Sequence, residues 1–245
     1  MDIGVAAQEA VGAGIGSELR RGLLASVPVT LGIAPAALVL GAQASQKGFS
    51  VIEVPLLTGL NFAGGSEFAA IGLWTTPPHI LLIAAITFLV NSRHILMGAA
   101  LAPFIQHLPR RIAYPALFLM CDESWAMALT DAKHRTAPES KFGFSLPYYV
   151  GISVVFYVTW VLFTTLGGAL GSAIGNVQAY GLDMAFPAIF LVLLRGLWRG
   201  ARASRPWLVS LLVAALTYGF VPGAWYVPTG ALSGLIAAYL LAGRP

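Results

Sequence analysis

This sequence predicts an all-α integral membrane protein, a polytopic bundle of seven to eight membrane segments with broken helices. Three observations predict it. Of 245 residues, 58% are hydrophobic and only 10% charged, at a mean hydropathy of +0.79, whereas a soluble domain carries about 25% charged residues. Apolar runs of about 20 residues, long enough to cross a bilayer, recur between charges and turn residues. Four ionisable residues, Glu67, Arg93, Asp122 and Glu123, lie inside such runs. Even the low estimate of about 2.5–3.5 kcal/mol per charge at the bilayer centre means that such groups pair, face a cavity or titrate.

Taken in order, the candidate segments are 22–44, 51–74, 79–105, 112–131, 145–170, 183–200, 206–222 and 226–243. They form a single transmembrane domain, 20–245, behind a polar N-terminal stretch, 1–19. That stretch carries Asp2, Glu9 and Glu18, with no basic start and no apolar centre, so it does not read as a signal peptide. The first membrane segment is then its own targeting signal. With both termini cytoplasmic, Arg20, Arg21, Lys133, Arg135, Lys141, Arg195, Arg199, Arg202, Arg205 and Arg244 fall inside, against Lys47, Arg110 and Arg111 outside. This balance follows the positive-inside rule and points to a multi-pass protein of the cell (inner) membrane. The Arg110–Arg111 pair is a local exception that makes 51–74 or 112–131 a candidate re-entrant segment.

Several segments contain helix breakers: Pro28 and Pro35 in the first, Pro55 and Gly64–Gly65 in the second, Pro187 in the sixth. Each frees backbone groups that neighbours or cavity water must satisfy. Membrane helices also tolerate such residues for packing alone, and Gly32, Gly41, Gly167, Gly168 and Gly171 suit close helix approach. A faint internal repeat relates Gly41-Ala42 and Gly48-Phe49-Ser50 with the helix after them to Gly168-Ala169 and Gly181-Leu182-Asp183 with theirs.

Three motifs carry the polar chemistry. In Asn61-Phe62-Ala63-Gly64-Gly65-Ser66-Glu67-Phe68, a helix opening at Gly64–Gly65 leaves N–H groups at the start of a half-helix, where an anion is favoured. Glu67 in that first turn has three roles open to it: accepting those N–H groups itself, binding the ammonium of a zwitterion, or carrying a proton. In Asn91-Ser92-Arg93-His94, Asn91 and His94 share one helix face and Arg93 lies too deep to snorkel. Arg93 therefore pairs with Asp122 or Glu123, as a fixed clamp or as a pair that opens with substrate or proton. Asp122 and Glu123 are about 100° apart on a helix, so one meets Arg93 and the other faces the pathway. Three carboxylates against one arginine leave two over, and a surplus carboxylate in low dielectric holds a proton, the chemistry of coupled transport.

Other classes fit poorly. The net charge of +4 and pI near 9.4 reflect basic residues at segment ends, with no basic face for nucleic acid. Cys121 is the one cysteine, which excludes an intrachain disulfide and a multi-cysteine metal site. No GxSxG elbow, HExxH helix or P-loop occurs, and His79, His94, His107 and His134 lack ligand-like spacing. Neither an enzyme, a cofactor nor a bound metal is expected.

At these motifs the sequence resembles the AzlC family, the large subunits of branched-chain amino acid exporters. The likeness runs through Pro28, Gly32, Pro35-Ala36, Gly41, the Phe62–Phe68 run, Asn91 to Gly98 and Asp122-Glu123, then loosely through Gly181-Leu182-Asp183 and Pro187. Glu67 stands where that family usually has glutamine. The resemblance implies secondary active export of branched-chain or other small hydrophobic amino acids, with a small AzlD-type membrane subunit of about four helices as partner. Asn61, Gly64, Gly65, Glu67 and Asn91 are then candidate substrate-binding residues, and Arg93, His94, Asp122 and Glu123 the candidate coupling group. Proton exchange is the coupling expected. The rival readings are a permease subunit of an ATP-driven transporter, marked by a copurifying ATPase, and a structural or assembly membrane protein, marked by buried ions that affect folding but not flux.

Overall fold

The computed structural model describes residues 14–135, 143–174, 200–222 and 225–242, with residues 184, 191, 195 and 198 between. Among them are ten α-helices and no strand: α1 (Ile15–Gln46), α2 (Glu53–Asn61), α3 (Gly64–Gly72), α4 (Ile80–Asn91), α5 (Arg93–Ile105), α6 (Arg110–Phe118), α7 (Asp122–Arg135), α8 (Leu146–Ile174), α9 (Arg205–Phe220) and α10 (Tyr226–Ala242). This is the helical membrane fold that the composition predicts. Among the described residues three stretches are long and apolar enough to cross a bilayer, Ile15–Gln46, Ile80–Ile105 and Leu146–Gly171, and Arg205–Phe220 and Tyr226–Leu241 are shorter apolar helices. The remaining two described segments, α2–α3 and α6–α7, are broken, and Ile80–Ile105 is itself interrupted at Ser92 between α4 and α5. The sixth segment and Pro187 lie outside the described residues apart from isolated positions, as does the second copy of the proposed internal repeat beyond Gly168-Ala169, which sit in α8.

The structural spine is α1 packed along α8, the most extensive helix pair among the described residues. Small residues make the approach close. A Cβ at Gly41 would lie 1.9 Å from the Thr164 carbonyl oxygen, and one at Gly22 would lie 2.3 Å from that of Tyr148. With no hydrophobic drive between helices in lipid, such close backbone contact supplies much of the association. Gly32 has open space around it and takes no part. Pro28 and Pro35 sit inside an unbroken α1, because tight packing against α8 keeps the helix in register where the prolines each remove one hydrogen bond.

The first helix starts at Ile15, inside the stretch read as a polar leader, and buries Glu18 against its neighbours. At the other end of the chain, α9 and α10 form a hairpin in which the Ser210 hydroxyl donates to the Gly230 carbonyl at 2.7 Å. Leu208, Leu211, Leu212 and Leu216 of α9 and Leu235, Ile236, Tyr239 and Leu240 of α10 point outward, as lipid-facing residues should.

Gly41→Leu should cost about 1–3 kcal/mol or more by overpacking the spine, whereas Gly32→Leu should be silent. Detergent melting curves of the two variants, read by size-exclusion chromatography, check this contrast.

Candidate functional site

Three consecutive membrane segments are interrupted near their middles, at Phe62–Ala63, at Ser92 and at Leu119–Cys121, and every motif singled out from the sequence lies at one of these interruptions.

The second segment opens at Phe62, two residues before the glycine pair. Phe62 ends α2 in the left-handed conformation, φ 44° and ψ 48°, at a cost of about 1–2 kcal/mol for a residue with a Cβ. A continuous helix would bond the Ala63 N–H to the Gly59 carbonyl, and the turn at Phe62 separates them. Both halves of that broken bond find side-chain partners. Glu67 Oε1 accepts the Ala63 N–H at 2.9 Å, and the Tyr157 hydroxyl donates to the Gly59 carbonyl at 2.9 Å. The Phe62 ring packs edge-on against Tyr157, 5.0 Å between centroids, which holds the unusual backbone in place.

Glu67 is completely buried. Besides Ala63, its carboxylate receives the Trp160 indole N–H on Oε2 at 2.7 Å and the Asn61 amide on Oε1 at 3.4 Å. Of the three roles open to Glu67, this geometry matches the first, a carboxylate that takes up the freed N–H. Gly64 serves a different purpose from the opening expected there: a Cβ on it would lie 2.8 Å from the Trp160 ring. It is glycine so that the indole can close over the break.

The third segment keeps its direction through Ser92, which is α-helical in φ and ψ but bonds to both Phe88 and Leu89 as the turn tightens. The Asn91 amide donates to Asn61 Oδ1 at 3.3 Å, and the Asn61 amide donates in turn to the Ser66 hydroxyl at 2.9 Å. His94 Nδ1 lies 3.2 Å from the Asn91 carbonyl oxygen. Arg93 Nη2 is 3.0 Å from Asp122 Oδ2, with about a quarter of each side chain exposed. Of the two carboxylates offered to Arg93 by the sequence, Asp122 is the one in contact. Two buried polar atoms here have no protein partner, the acceptor Asn91 Oδ1 and the donor Arg93 Nε.

The fourth segment breaks where the sequence reading placed mid-helix charges. Asp122 and Glu123 occupy the first turn of α7 rather than the centre of a helix, and the partial positive charge of a helix start favours carboxylates there. Ser124 seals this break: its hydroxyl accepts the Cys121 N–H at 2.9 Å and contacts the Cys121 carbonyl at 3.2 Å. The Ala116 carbonyl, whose helical donor Met120 turns instead to Leu117, receives the Tyr149 hydroxyl at 2.7 Å. The Trp125 indole donates to the Met97 carbonyl at 3.0 Å and ties α7 to α5.

A second ionic cluster lies where the start of α1, the end of α7 and the start of α8 converge. Glu18 accepts from Arg21, Arg135 and the Ser145 hydroxyl, and Asp131 accepts from Arg21 at 2.8 Å and from Arg135 Nε at 3.0 Å. The Arg21 guanidinium also stacks 3.7 Å above the Tyr148 ring. Beside it, Ala126, Met127, Thr130, Asp131, His134 and Tyr148 line an open cavity of about 420 Å³.

Residues 28–174 match the family model described as AzlC protein. The chain belongs to the AzlC family. Among its AzlC-like relatives, an "Uncharacterized membrane protein" of Archaeoglobus fulgidus is 30% identical over 223 residues, 90% of each chain. The "Inner membrane protein YgaZ" of Escherichia coli is 26% identical over 225 residues, 89% of this chain and 86% of that one. The "Branched-chain amino acid transport protein AzlC" of Bacillus subtilis is 24% identical over 173 residues, 71% and 65% respectively. No solved structure matches.

Around these breaks stand residues that the sequence reading missed, all on α8. Tyr149, Ser153, Tyr157, Trp160 and Thr164 recur at helical spacing on a segment free of Asp, Glu, Lys, Arg and His. That stripe was the available signal. Three of the five side chains, Tyr149, Tyr157 and Trp160, reach into the two breaks, and Thr164 meets Thr58 of α2 at 3.1 Å. Glu18, Arg21 and Arg135 were likewise read as leader or topology residues, and the long-range pairs they make have no local sequence signature.

Tyr157→Phe leaves the Gly59 carbonyl without its donor and should destabilise the protein by about 1–3 kcal/mol, the cost of an unsatisfied buried polar group. Tyr149→Phe should do the same at Ala116, and SDS-titration unfolding of both variants in mixed micelles measures the loss.

Proposed function

We propose that this chain is the large subunit of a secondary exporter for branched-chain or other small hydrophobic amino acids, driven by exchange with protons. It works in the cell (inner) membrane, with its N-terminus on the cytoplasmic side and a small AzlD-type membrane subunit as partner. The AzlC family match and the Bacillus subtilis relative's name support the substrate class.

One structural observation carries the reading: the unpartnered acceptor Asn91 Oδ1 and the unpartnered donor Arg93 Nε flank Ser92, where three interrupted segments meet. A zwitterionic amino acid brings the complement of both. Its carboxylate suits the free guanidinium edge of Arg93, and its ammonium suits Asn91 Oδ1. Asn61 orients the Asn91 amide, and the opening before Gly64 and Gly65 brings Asn61 to the site. Leaving buried polar groups unpaired costs enough that the site discriminates by them more strongly than by aliphatic size.

Coupling follows from the Arg93–Asp122 contact. With Asp122 ionised, the arginine is held in place beside Asn91. A proton on Asp122 removes its charge, releases Arg93 and dismantles the receptor for the zwitterion. Proton and amino acid then belong to different states of the carrier, as exchange requires. His94 and Glu123 stand beside the pair as further candidate proton carriers.

Counterflow of labelled leucine, isoleucine and valine into proteoliposomes holding the chain with a co-expressed small membrane subunit tests this. Asp122→Asn should lower the flux per folded molecule at least tenfold, about 1.4 kcal/mol or more in transition-state terms, and abolish its response to an imposed pH gradient. No flux of any of the three by the intact protein would remove the substrate assignment. Reduced folding with unchanged flux per folded molecule would make the ion pair structural.

A further inference from the structure

The far end of α7 is held by charge rather than by apolar packing. Its buried face is Ser124, Ala128 and Ala132, all small, and small side chains bury little apolar surface that separation would expose. At its last turns, four side chains from α1 and α7 close into a ring in which both carboxylates are shared by both arginines. Arg21 meets Glu18 at 3.0 Å and Asp131 at 2.8 Å, and Arg135 meets Asp131 at 3.0 Å and Glu18 as well. The Ser145 hydroxyl, just before α8, donates to Glu18, and Tyr148 at the start of α8 carries the Arg21 guanidinium on its ring. Glu18, Asp131 and Arg135 are largely buried, so desolvation offsets much of the attraction, and the ring is a weaker bond than its short distances suggest.

The other end of α7 begins at the Leu119–Cys121 break, where the chain leaves the bonding of a continuous helix. A short helix with an interrupted start and a separable end can turn as a lever. The open cavity of about 420 Å³ already lies along the α7 face that Met127, Thr130 and His134 form, opposite Tyr148 of α8. Glu123 continues that face one turn further in, with Cys121 beside it.

We propose that Glu18, Arg21, Asp131 and Arg135 form the gate at this end of the transport path, shut in this structure. When the ring parts, α7 swings about the Leu119–Cys121 break, and the cavity deepens along α7 to Glu123 and the Arg93–Asp122 pair. This rests on the transport reading and adds to it the place where the amino acid enters. A ring with both signs of charge suits a zwitterion, whose carboxylate and ammonium can pair in passing with the arginines and acids that separate. It also keeps the arginines and acids paired with one another while the gate is shut.

Cys121, the one cysteine of the chain, reports on the inner end of that path. A membrane-impermeant maleimide is applied to membrane vesicles of either orientation holding the intact protein, Asp131→Asn, Arg135→Ala or Arg135→Lys, with Cys121→Ser as background. A cysteine placed at Gly16, which is exposed with open space around it, identifies in the Cys121→Ser chain the face that carries the ring. From that face, Asp131→Asn and Arg135→Ala should label Cys121 at least about tenfold faster than the intact protein, through a larger open population, and Arg135→Lys should stay close to it. From the opposite face no variant should label faster than the intact protein. Labelling that stays slow from the ring's face in both charge-removing variants would overturn the gate. Labelling that rises equally from both faces would also overturn it, since the ring would then only hold the bundle together. The labelling needs no transport, so it decides the gate even where the intact protein moves no leucine, the result by which the transport reading itself fails.

Discussion

A backbone hydrogen bond broken inside a bilayer has no water to repair it, and the arrangement of this molecule follows from where those repairs are made. The bond between the Ala63 N–H and the Gly59 carbonyl is the clearest instance, since its two halves go to Glu67 and Tyr157. Leaving both halves unpaired in hydrocarbon would cost several kcal/mol each. A membrane helix therefore opens only where the rest of the fold already holds a donor and an acceptor in position. Here the donor comes from α8 and the acceptor from the first turn of the half-helix itself.

This explains why one long continuous helix stands beside the broken segments. α8 carries Tyr149, Tyr157 and Trp160 to the two breaks, and hydrogen-bond geometry tolerates only a few tenths of an ångström. A helix loosely held in lipid would not place them. The glycine contacts with α1 hold it firmly, with Gly22 against Tyr148 and Gly41 against Thr164, so the packing of the two helices sets the geometry of the polar centre. The same demand accounts for Gly64, which yields its side-chain volume to the Trp160 ring.

Much of this was legible in the sequence, and the remainder was hidden for physical reasons. The membrane fold follows from composition, and counting charges inside apolar runs leads to the contact of Arg93 with one of two neighbouring carboxylates. The break in the second segment was visible as Gly64–Gly65 but displaced by two residues, because glycine there marks close approach while the turn itself is made by Phe62 held against Tyr157. The break before Asp122 was not visible, since an acidic pair in an apolar run looks the same whether it lies mid-helix or caps a new helix. Pro28 and Pro35 look like breaks and are not, for tertiary packing overrides a local cost. The α8 partners were missed because tyrosine, tryptophan and threonine are ordinary in membrane helices, and their meaning appears only with the carbonyl or carboxylate they face.

Among the described residues, α7 is the helix with members in both ionic clusters, Asp122 in its first turn against Arg93, and Asp131 and Arg135 in its last turns against Glu18 and Arg21. Asp131 lies nine positions along the helix from Asp122, about 13.5 Å at 1.5 Å per residue. A single short helix transmits displacement well because its own hydrogen bonds resist stretching, whereas the ion pairs at its ends can exchange partners. Any change of pairing at Asp122 thus acts on the same rigid body that holds Asp131 between two arginines. Trp125 adds to this by bonding α7 to the Met97 carbonyl of α5, so Arg93 and its partner's helix are joined at a second point. The polar centre and the charged end of the bundle are linked mechanically through α7, while the α1–α8 spine supplies the fixed frame against which α7 is held.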